Sequence, residues 1–234
     1  MERLILVAGH AVYAAPDFAR PAADESWLLQ PFQRGEPPFY LEHIRRGVEL
    51  AAADAGALLV FSGGQTRREA GPRSEADGYW RVADHFGWLG YGNVRERAVT
   101  EEFARDSLEN MLFSLCRFRA LTGRYPVHLT AVSWAFKAAR FDLHRAALRW
   151  PADKFTFVGA NNPHDLADAG AGELRQALEP FRQDPYGAQN PLAAKRSARD
   201  PFQRQPPYAQ TCPEIAGLLN HRGPEIYAGP LPWE

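Results

Sequence analysis

The chain opens with Leu4-Ile5-Leu6-Val7-Ala8 followed by Gly9-His10, an apolar run that ends in a glycine. Such a continuous run is typical of a strand buried on both faces of a parallel sheet. Comparable runs follow at Ala57 to Phe61, Val127 to Val132 and Phe155 to Gly159, with a weaker one between Val94 and Thr100. The sequence therefore predicts five strands of one sheet.

Helical patterns separate these strands, as in a series of βαβ units. Apolar residues recur at helical spacing between Phe39 and Ala53, between Ala104 and Leu121, and between Phe136 and Trp150. Another helix begins after Ser74, whose side chain is a suitable N-cap. These patterns predict an α/β fold in which an open parallel sheet carries helices on both faces.

The pattern changes after about residue 165. Residues 166–234 contain a helical stretch near Gly172 to Phe181, a segment rich in proline, glutamine and arginine from Asp184 to Tyr208, and a short helix near Pro213 to Asn220. This part of the chain shows no apolar core of its own. We therefore interpret residues 1–165 as the α/β core and residues 166–234 as a helical and irregular C-terminal cap packed on it.

Composition narrows the expected partners and compartment. The 234 residues include 27 basic and 28 acidic side chains, so no overall positive field attracts nucleic acid. No apolar run approaches the ~20 residues of a membrane helix, and Leu4 to Ala8 is too short for a signal sequence. Cys116 and Cys212 lie far apart in the sequence, which fits a reducing compartment, and the histidines show no metal-ligand spacing. We expect a cytoplasmic protein without a membrane span, nucleic-acid partner or metal.

Glycine-rich and polar segments follow the first two predicted strands, at the edge where open α/β sheets bind ligands. Gly9-His10 leaves the first strand, and Ser62-Gly63-Gly64-Gln65 with Arg67 leaves the second. Glycine permits close backbone approach, and successive N–H groups beside an arginine can bind a phosphate or carboxylate. Either segment is also compatible with a purely structural turn.

Two later segments extend the predicted cleft. The first contains Glu101, Arg105, Ser107 and Asn110 at the start of a helix, and the second contains Ser133, Lys137 and Arg140 after the fourth strand. The cationic side chains suit an anion. Carboxylates at a helix start can instead serve as caps, and the cations can instead form salt bridges, so both interpretations stay open.

Several of these residues together carry a resemblance. In order along the chain, the glycine ending the first strand, Ser62-Gly63-Gly64, Ser74-Glu75, and Glu101 with Ser107 and Glu109-Asn110 resemble the YdcF/SanA/ElyC family, a domain of unknown function. The likeness covers about Leu4 to Gly159. The segment from Asp184 to Phe202 resembles an extension found in a subgroup with fungal members.

The resemblance implies a Rossmann-like sheet and places Glu75 beside the cleft. One member of that family is reported to bind S-adenosylmethionine, but no reaction is established for the family. Ala104 stands where the family often has serine, and Phe136 stands near where it usually has histidine. His10 is the substitute for that histidine, and Lys137 with Arg140 are the substitutes for the family's arginine.

We therefore expect a cleft at the carboxyl ends of the strands that binds a nucleotide, S-adenosylmethionine or another phosphorylated small molecule. S-adenosylmethionine is the candidate cofactor. Arg67 and Arg105 would hold the anion, while His10 or Glu101 would transfer a proton. Transfer and hydrolysis are the candidate reactions. The alternative is a non-catalytic ligand-binding or regulatory protein that uses the same cleft.

Overall fold

A computed structural model describes all 234 residues and contains a parallel five-stranded sheet. Its strands are β1 Arg3–Ala8, β4 Ala57–Ser62, β5 Ala98–Glu101, β6 His128–Ser133 and β7 Phe155–Gly159, in the order β5-β4-β1-β6-β7. In the central register Leu6 pairs with Val60 on one side and with Ala131 on the other. The predicted open parallel sheet of a Rossmann-like α/β fold is confirmed.

Alternating side chains of β1 supply two separate apolar cores. Leu4 and Leu6 point to one face, where they join a cluster with the helix that follows β5, while Ile5 and Val7 point to the other face. All four are at most 5% exposed. Burial on both faces explains why the strand is an unbroken apolar run rather than an alternating one.

Helices cover both faces of the sheet. The core helices are α1 Pro37–Ala53, α2 Glu75–His85, the single turn α3 Gly92–Arg95, α4 Ser107–Thr122 and α5 Ala138–Ala147. The Ser74 hydroxyl accepts a hydrogen bond from the Asp77 N–H at 2.9 Å, which confirms the predicted N-cap of α2. Asp106 caps α4 in the same way, and Gly123, with φ of 77°, ends that helix.

The C-terminal cap adds short helices to the face that carries α4 and α5. They are α6 Leu166–Glu173, which continues through one π-helical turn at Leu174–Leu178 into α7 Glu179–Gln183, then α8 Leu192–Ala198, α9 Tyr208–Thr211 and α10 Ala216–Leu219. Phe181, Tyr208 and Trp233 join the apolar cluster formed by β1 and α4. The cap therefore shares the core of the sheet. No helix of the chain is both long and apolar enough to cross a membrane.

Some boundaries differ from the sequence prediction. The weak strand expected from Val94 begins only at Ala98, and the helix expected from Phe136 begins as a 3-10 turn at Ala135–Lys137 before α5. A short antiparallel hairpin, formed by the two-residue strands β2 Val12–Tyr13 and β3 Trp27–Leu28, was not predicted. The hairpin leads into the turn Pro31–Gln33, which lies beside the end of β1.

Candidate functional site

The strand order reverses direction between β1 and β6. From β1 the chain adds β4 and β5 on one side of the sheet, and then places β6 and β7 on the other. His10 follows β1 and Trp134 follows β6, with their ring centroids 5.9 Å apart. Ligands of open α/β sheets bind at such a switch point, outside the carboxyl ends of the strands.

A cavity of about 730 Å³ lies at this point. The core contributes His10, Trp134, Phe136, Lys137 and Arg140 to its wall, and the C-terminal cap contributes Lys195, Arg196 and Arg199. The volume is in the range of pockets that hold a nucleotide-sized molecule. The core and the cap therefore build this cavity together.

Positive charge is in excess in the cavity wall. Eight cationic side chains line it, namely Arg34, Arg105, Lys137, Arg140, Arg175, Lys195, Arg196 and Arg199, against the five carboxylates of Glu36, Asp106, Asp165, Asp168 and Glu173. The near-neutral charge of the whole chain does not reveal this local excess. A concave surface of one sign concentrates ligands of the opposite sign.

Lys137 and Arg199 are among the wall cations that have no carboxylate partner. The Lys137 ammonium forms no hydrogen bond or ion pair and lies 5.6 Å from the ring centroid of Phe136. Burial, with the neighbouring charge of Arg140, lowers the pKa of Lys137 to about 7. Arg199 donates to the backbone oxygen of Arg105 at 3.0 Å and contacts no carboxylate. An anion in the cavity would supply the counter-charge that both side chains lack.

His10 is a titratable ring in the cavity wall at the switch point. Its Nε2 lies 3.4 Å from the Ser133 hydroxyl, and its backbone oxygen accepts a hydrogen bond from Gln33. Burial, helped by the charge of Lys137, holds the pKa of His10 well below its ordinary value, so the ring is neutral at pH 7. A neutral imidazole can accept a proton. Ser133 is fully buried behind it, which leaves that hydroxyl out of the cavity.

The glycines at the strand ends have a different role from the predicted one. Their N–H groups already donate to backbone oxygens, from Gly9 to Ser62 at 2.7 Å, from Gly63 to Glu101 at 3.0 Å and from Gly64 to Ala104 at 2.7 Å. They are therefore not available to an anion, contrary to the expectation. A Cβ at Gly9 would lie 2.8 Å from the Cβ of Glu75, and one at Gly63 would lie 2.7 Å from it. The absence of side chains makes room for Glu75.

Glu75 bridges the exits of β1 and β4 without lining the larger cavity. One of its carboxylate oxygens accepts from the Thr66 hydroxyl at 2.7 Å. Burial raises the pKa of Glu75, and the hydrogen bond from Thr66 partly opposes that shift. Glu75 was expected to bind the ligand, and in the structure its carboxylate contacts Thr66 and lies against the glycine turns.

Glu101 lies in a closed hydrogen-bond network. Its carboxylate accepts from the Ser62 hydroxyl, the Tyr208 hydroxyl and the Phe103 N–H, each at 2.8 Å, and Asn110 lies 3.0 Å from the same Ser62 hydroxyl. Glu101 is 1% exposed, and burial raises its pKa to about 7. Glu101 does not line the cavity, so this geometry does not support proton transfer to a ligand. Instead, Glu101 joins β4, α4 and the cap.

Three other predicted ligand-binding side chains are already paired. Arg105 donates to both carboxylate oxygens of Glu109, at 2.9 and 2.6 Å, and to Asp200 at 2.8 Å. The sequence predicted that Arg105 holds the anion, but its guanidinium is already engaged and is not free to do so. Ser107 lies 2.8 Å from Nε2 of the buried His144. Arg140 forms an ion pair with Glu173 at 2.9 Å, which is the salt bridge considered from the sequence.

Arg67 lines a second, smaller cavity of about 460 Å³. Thr66 and Arg68 lie in the same wall, opposite residues 197–203 of the cap. The Arg67 guanidinium donates to the side-chain oxygen of Gln30. Gln65 donates to the backbone oxygen of Pro72 at 2.7 Å. The single predicted cleft is thus two cavities, and the cap contributes to both.

Sequence reasoning missed the cavity residues that precede α1. Phe32 and Arg34 are in the wall, yet nothing in their sequence context indicates a site. Trp134 also lines the cavity, although it is only 2% exposed. Arg199 had a signal, because the Asp184 to Arg199 segment is rich in basic residues.

Comparison with known proteins finds one relative that matches most of the chain. No protein-family profile and no solved structure matches the chain. An uncharacterised protein of Saccharomyces cerevisiae, YOR238W, is 28% identical over an alignment of 262 positions, gaps included, which covers 88% of this chain and 86% of the yeast protein. The similarity therefore extends across both the sheet and the cap. It assigns no activity.

Proposed function

We propose that the protein binds a phosphorylated small molecule in the larger cavity, with Lys137 and Arg199 in contact with the phosphate. The observation that carries the proposal is that these two cations line the cavity at the switch point and have no carboxylate partner. Charge-assisted hydrogen bonds from lysine and arginine are among the stronger contacts that a phosphate makes.

The charge of the wall separates the candidate ligands. A nucleotide or sugar phosphate brings only negative charge into a wall with excess positive charge. S-adenosylmethionine brings a carboxylate but also a sulfonium cation, which the surrounding arginines would repel. We therefore rank phosphorylated ligands above S-adenosylmethionine.

The test is a thermal-shift series with inorganic phosphate, ribose 5-phosphate, nucleotides and S-adenosylmethionine. A ligand at one hundred times its dissociation constant stabilises by about 2.7 kcal/mol, which is a rise in Tm of roughly 5 to 10 °C for a chain of this size. We expect that rise with a phosphorylated ligand, and we expect Lys137→Met and Arg199→Met each to abolish most of it. Arg222→Met, on the exposed surface of the cap, is the matched control and should leave it unchanged. A rise with S-adenosylmethionine alone would replace the ligand class, and no rise with any of these compounds would refute the proposal.

Whether binding leads to chemistry depends on His10. It is a neutral base in the wall, whereas Glu101 is outside the cavity and Ser133 is buried. The absence of Glu101, the other residue predicted to transfer a proton, from the cavity favours a non-catalytic binding protein as the second candidate. Product formation from a bound compound that His10→Gln abolishes, while the thermal shift is retained, would show an enzyme. Binding without product formation would support the second candidate.

A further inference from the structure

Phe32 is an exposed aromatic ring held at the rim of the larger cavity. Its side chain is 77% exposed, and it lines that cavity. The next residue, Gln33, is 7% exposed and donates to the backbone oxygen of His10 at 2.9 Å and to the Tyr40 hydroxyl at 3.0 Å. The turn is therefore anchored to the end of β1 while its phenyl ring stays in solvent.

A second ring lies on the cavity wall next to the unpaired ammonium. Phe136 is half-buried, its N–H donates to the side-chain oxygen of Asn162 at 3.2 Å, and its ring is 6.1 Å from that of Trp134. Lys137 lies 5.6 Å from the Phe136 ring centroid. An aromatic ring and a cation are thus adjacent, so one could contact the base and the other the phosphate of a nucleotide.

The turn that carries Phe32 also approaches this cation. Burial raises the pKa of Glu36, at the end of the turn, and the Tyr40 hydroxyl and the charge of Lys137 partly oppose the shift. Phe32, Phe136 and Lys137 all line this one cavity, as do Gln33 and Glu36.

We propose that Phe32 and Phe136 hold the planar base of a nucleotide whose phosphate contacts Lys137 and Arg199. The inference rests on the proposed function and narrows its ligand from phosphorylated compounds to nucleotides. Stacking on an aromatic side chain tolerates any base, because every base has a π face. The rings therefore select for the presence of a base rather than for one base.

The test compares ligands with and without a base. Dissociation constants of AMP, GMP, CMP, UMP and ribose 5-phosphate would be measured by calorimetry with the unmodified protein, Phe32→Ala and Phe32→Tyr. Removal of one stacking ring weakens binding by about five- to hundredfold. We expect a loss of about tenfold or more for the nucleotides with Phe32→Ala, no change for ribose 5-phosphate, and near-normal affinity with Phe32→Tyr, which keeps a ring.

Phe86→Ala is the matched control, because Phe86 is also exposed, at 46%, and lies at the end of α2 outside both cavities. It should change no dissociation constant. Equal affinity of the nucleotides and ribose 5-phosphate, or an equal loss of both with Phe32→Ala, would overturn the base-binding inference and leave phosphate binding intact. Failure of every phosphorylated compound, inorganic phosphate included, to bind would overturn both proposals.

Discussion

The buried ring of His43 should make the protein lose stability in mild acid. His43 is fully buried in α1, and its Nε2 lies 2.8 Å from the side-chain oxygen of Asn161. The Asn161 amide nitrogen donates to Phe39 and Glu42, so its oxygen faces the ring and accepts. Nε2 of His43 therefore carries the hydrogen, and Nδ1 is a buried acceptor without a partner. A second proton would place a charge there with nothing to accept it.

Burial lowers the pKa of His43 from 6.5 to about 3, and the Asn161 hydrogen bond only partly opposes the shift. A depressed pKa in the folded state means that the stability is complete above pH 6.5 and is lost as the pH falls toward 3. Between pH 7 and pH 5 the loss is about 2 kcal/mol. This figure depends mainly on the ordinary pKa, since a value near 3 keeps the folded ring neutral at both pH values. It is a large part of the 5 to 15 kcal/mol typical of a native protein.

The assay is urea denaturation at pH 7 and pH 5 of the unmodified protein and of His43→Gln. The glutamine amide can donate to Asn161 as the imidazole does, but it does not titrate. We expect the free energy of unfolding to fall by about 2 kcal/mol less in His43→Gln than in the unmodified protein. His85→Gln, at an exposed position of α2, is the control and should behave as the unmodified protein. Equal losses in the unmodified protein and His43→Gln would refute the reasoning.

Two further substitutions test how the backbone and the cap are held. Gly64→Ala should lower the free energy of unfolding by about 1 to 3 kcal/mol, because its Cβ would lie 2.7 Å from the backbone oxygen of Ala104. Gly170→Ala is the control, because a Cβ on this residue of α6 meets nothing within 4 Å, and it should raise the free energy of unfolding slightly. A loss of stability as large with Gly170→Ala as with Gly64→Ala would contradict the steric explanation. Asp106→Ala should cost about 2 to 4 kcal/mol in urea denaturation, since it removes both the cap of α4 and the nearer partner of Arg196, at 2.8 and 2.5 Å, and leaves Arg196 with Glu109 at 3.2 Å. Asp106→Asn keeps the cap and should lose less, so equal losses would show that the cap contributes nothing.

The sheet could be predicted because its strands are unusually plain in sequence. Leu4 to Ala8 and Ala57 to Phe61 are buried on both faces, so their apolar character depends on no distant partner. The Ser74 cap is also local, since donor and acceptor are three residues apart. The hairpin of Val12–Tyr13 and Trp27–Leu28 was missed because two-residue strands are too short to show a period.

The candidate site could be predicted in place but not in detail. Strand-end logic correctly brought His10, Ser133 and Lys137 to one edge of the sheet. The use of each side chain depends on partners that are remote in the sequence: Arg105 meets Asp200, which lies 95 residues later, and Glu101 meets Tyr208, which lies 107 residues later. No local pattern encodes such pairings, so side chains that neutralise one another were expected to bind a ligand.

The ion pair between Asp106 and Arg196 also constrains how this chain can diverge. The two residues lie 90 positions apart, one at the start of α4 and the other in α8, and both are largely shielded from water. Loss of either charge removes this ion pair, and Arg196 would then keep only its longer contact with Glu109 at 3.2 Å, so the effects of changes at positions 106 and 196 are not additive. Recombination between diverged copies would then succeed when the crossover lies outside residues 106–196 and fail more often when it lies inside them. We therefore expect the sheet and the cap to diverge together rather than to be exchanged separately between related proteins.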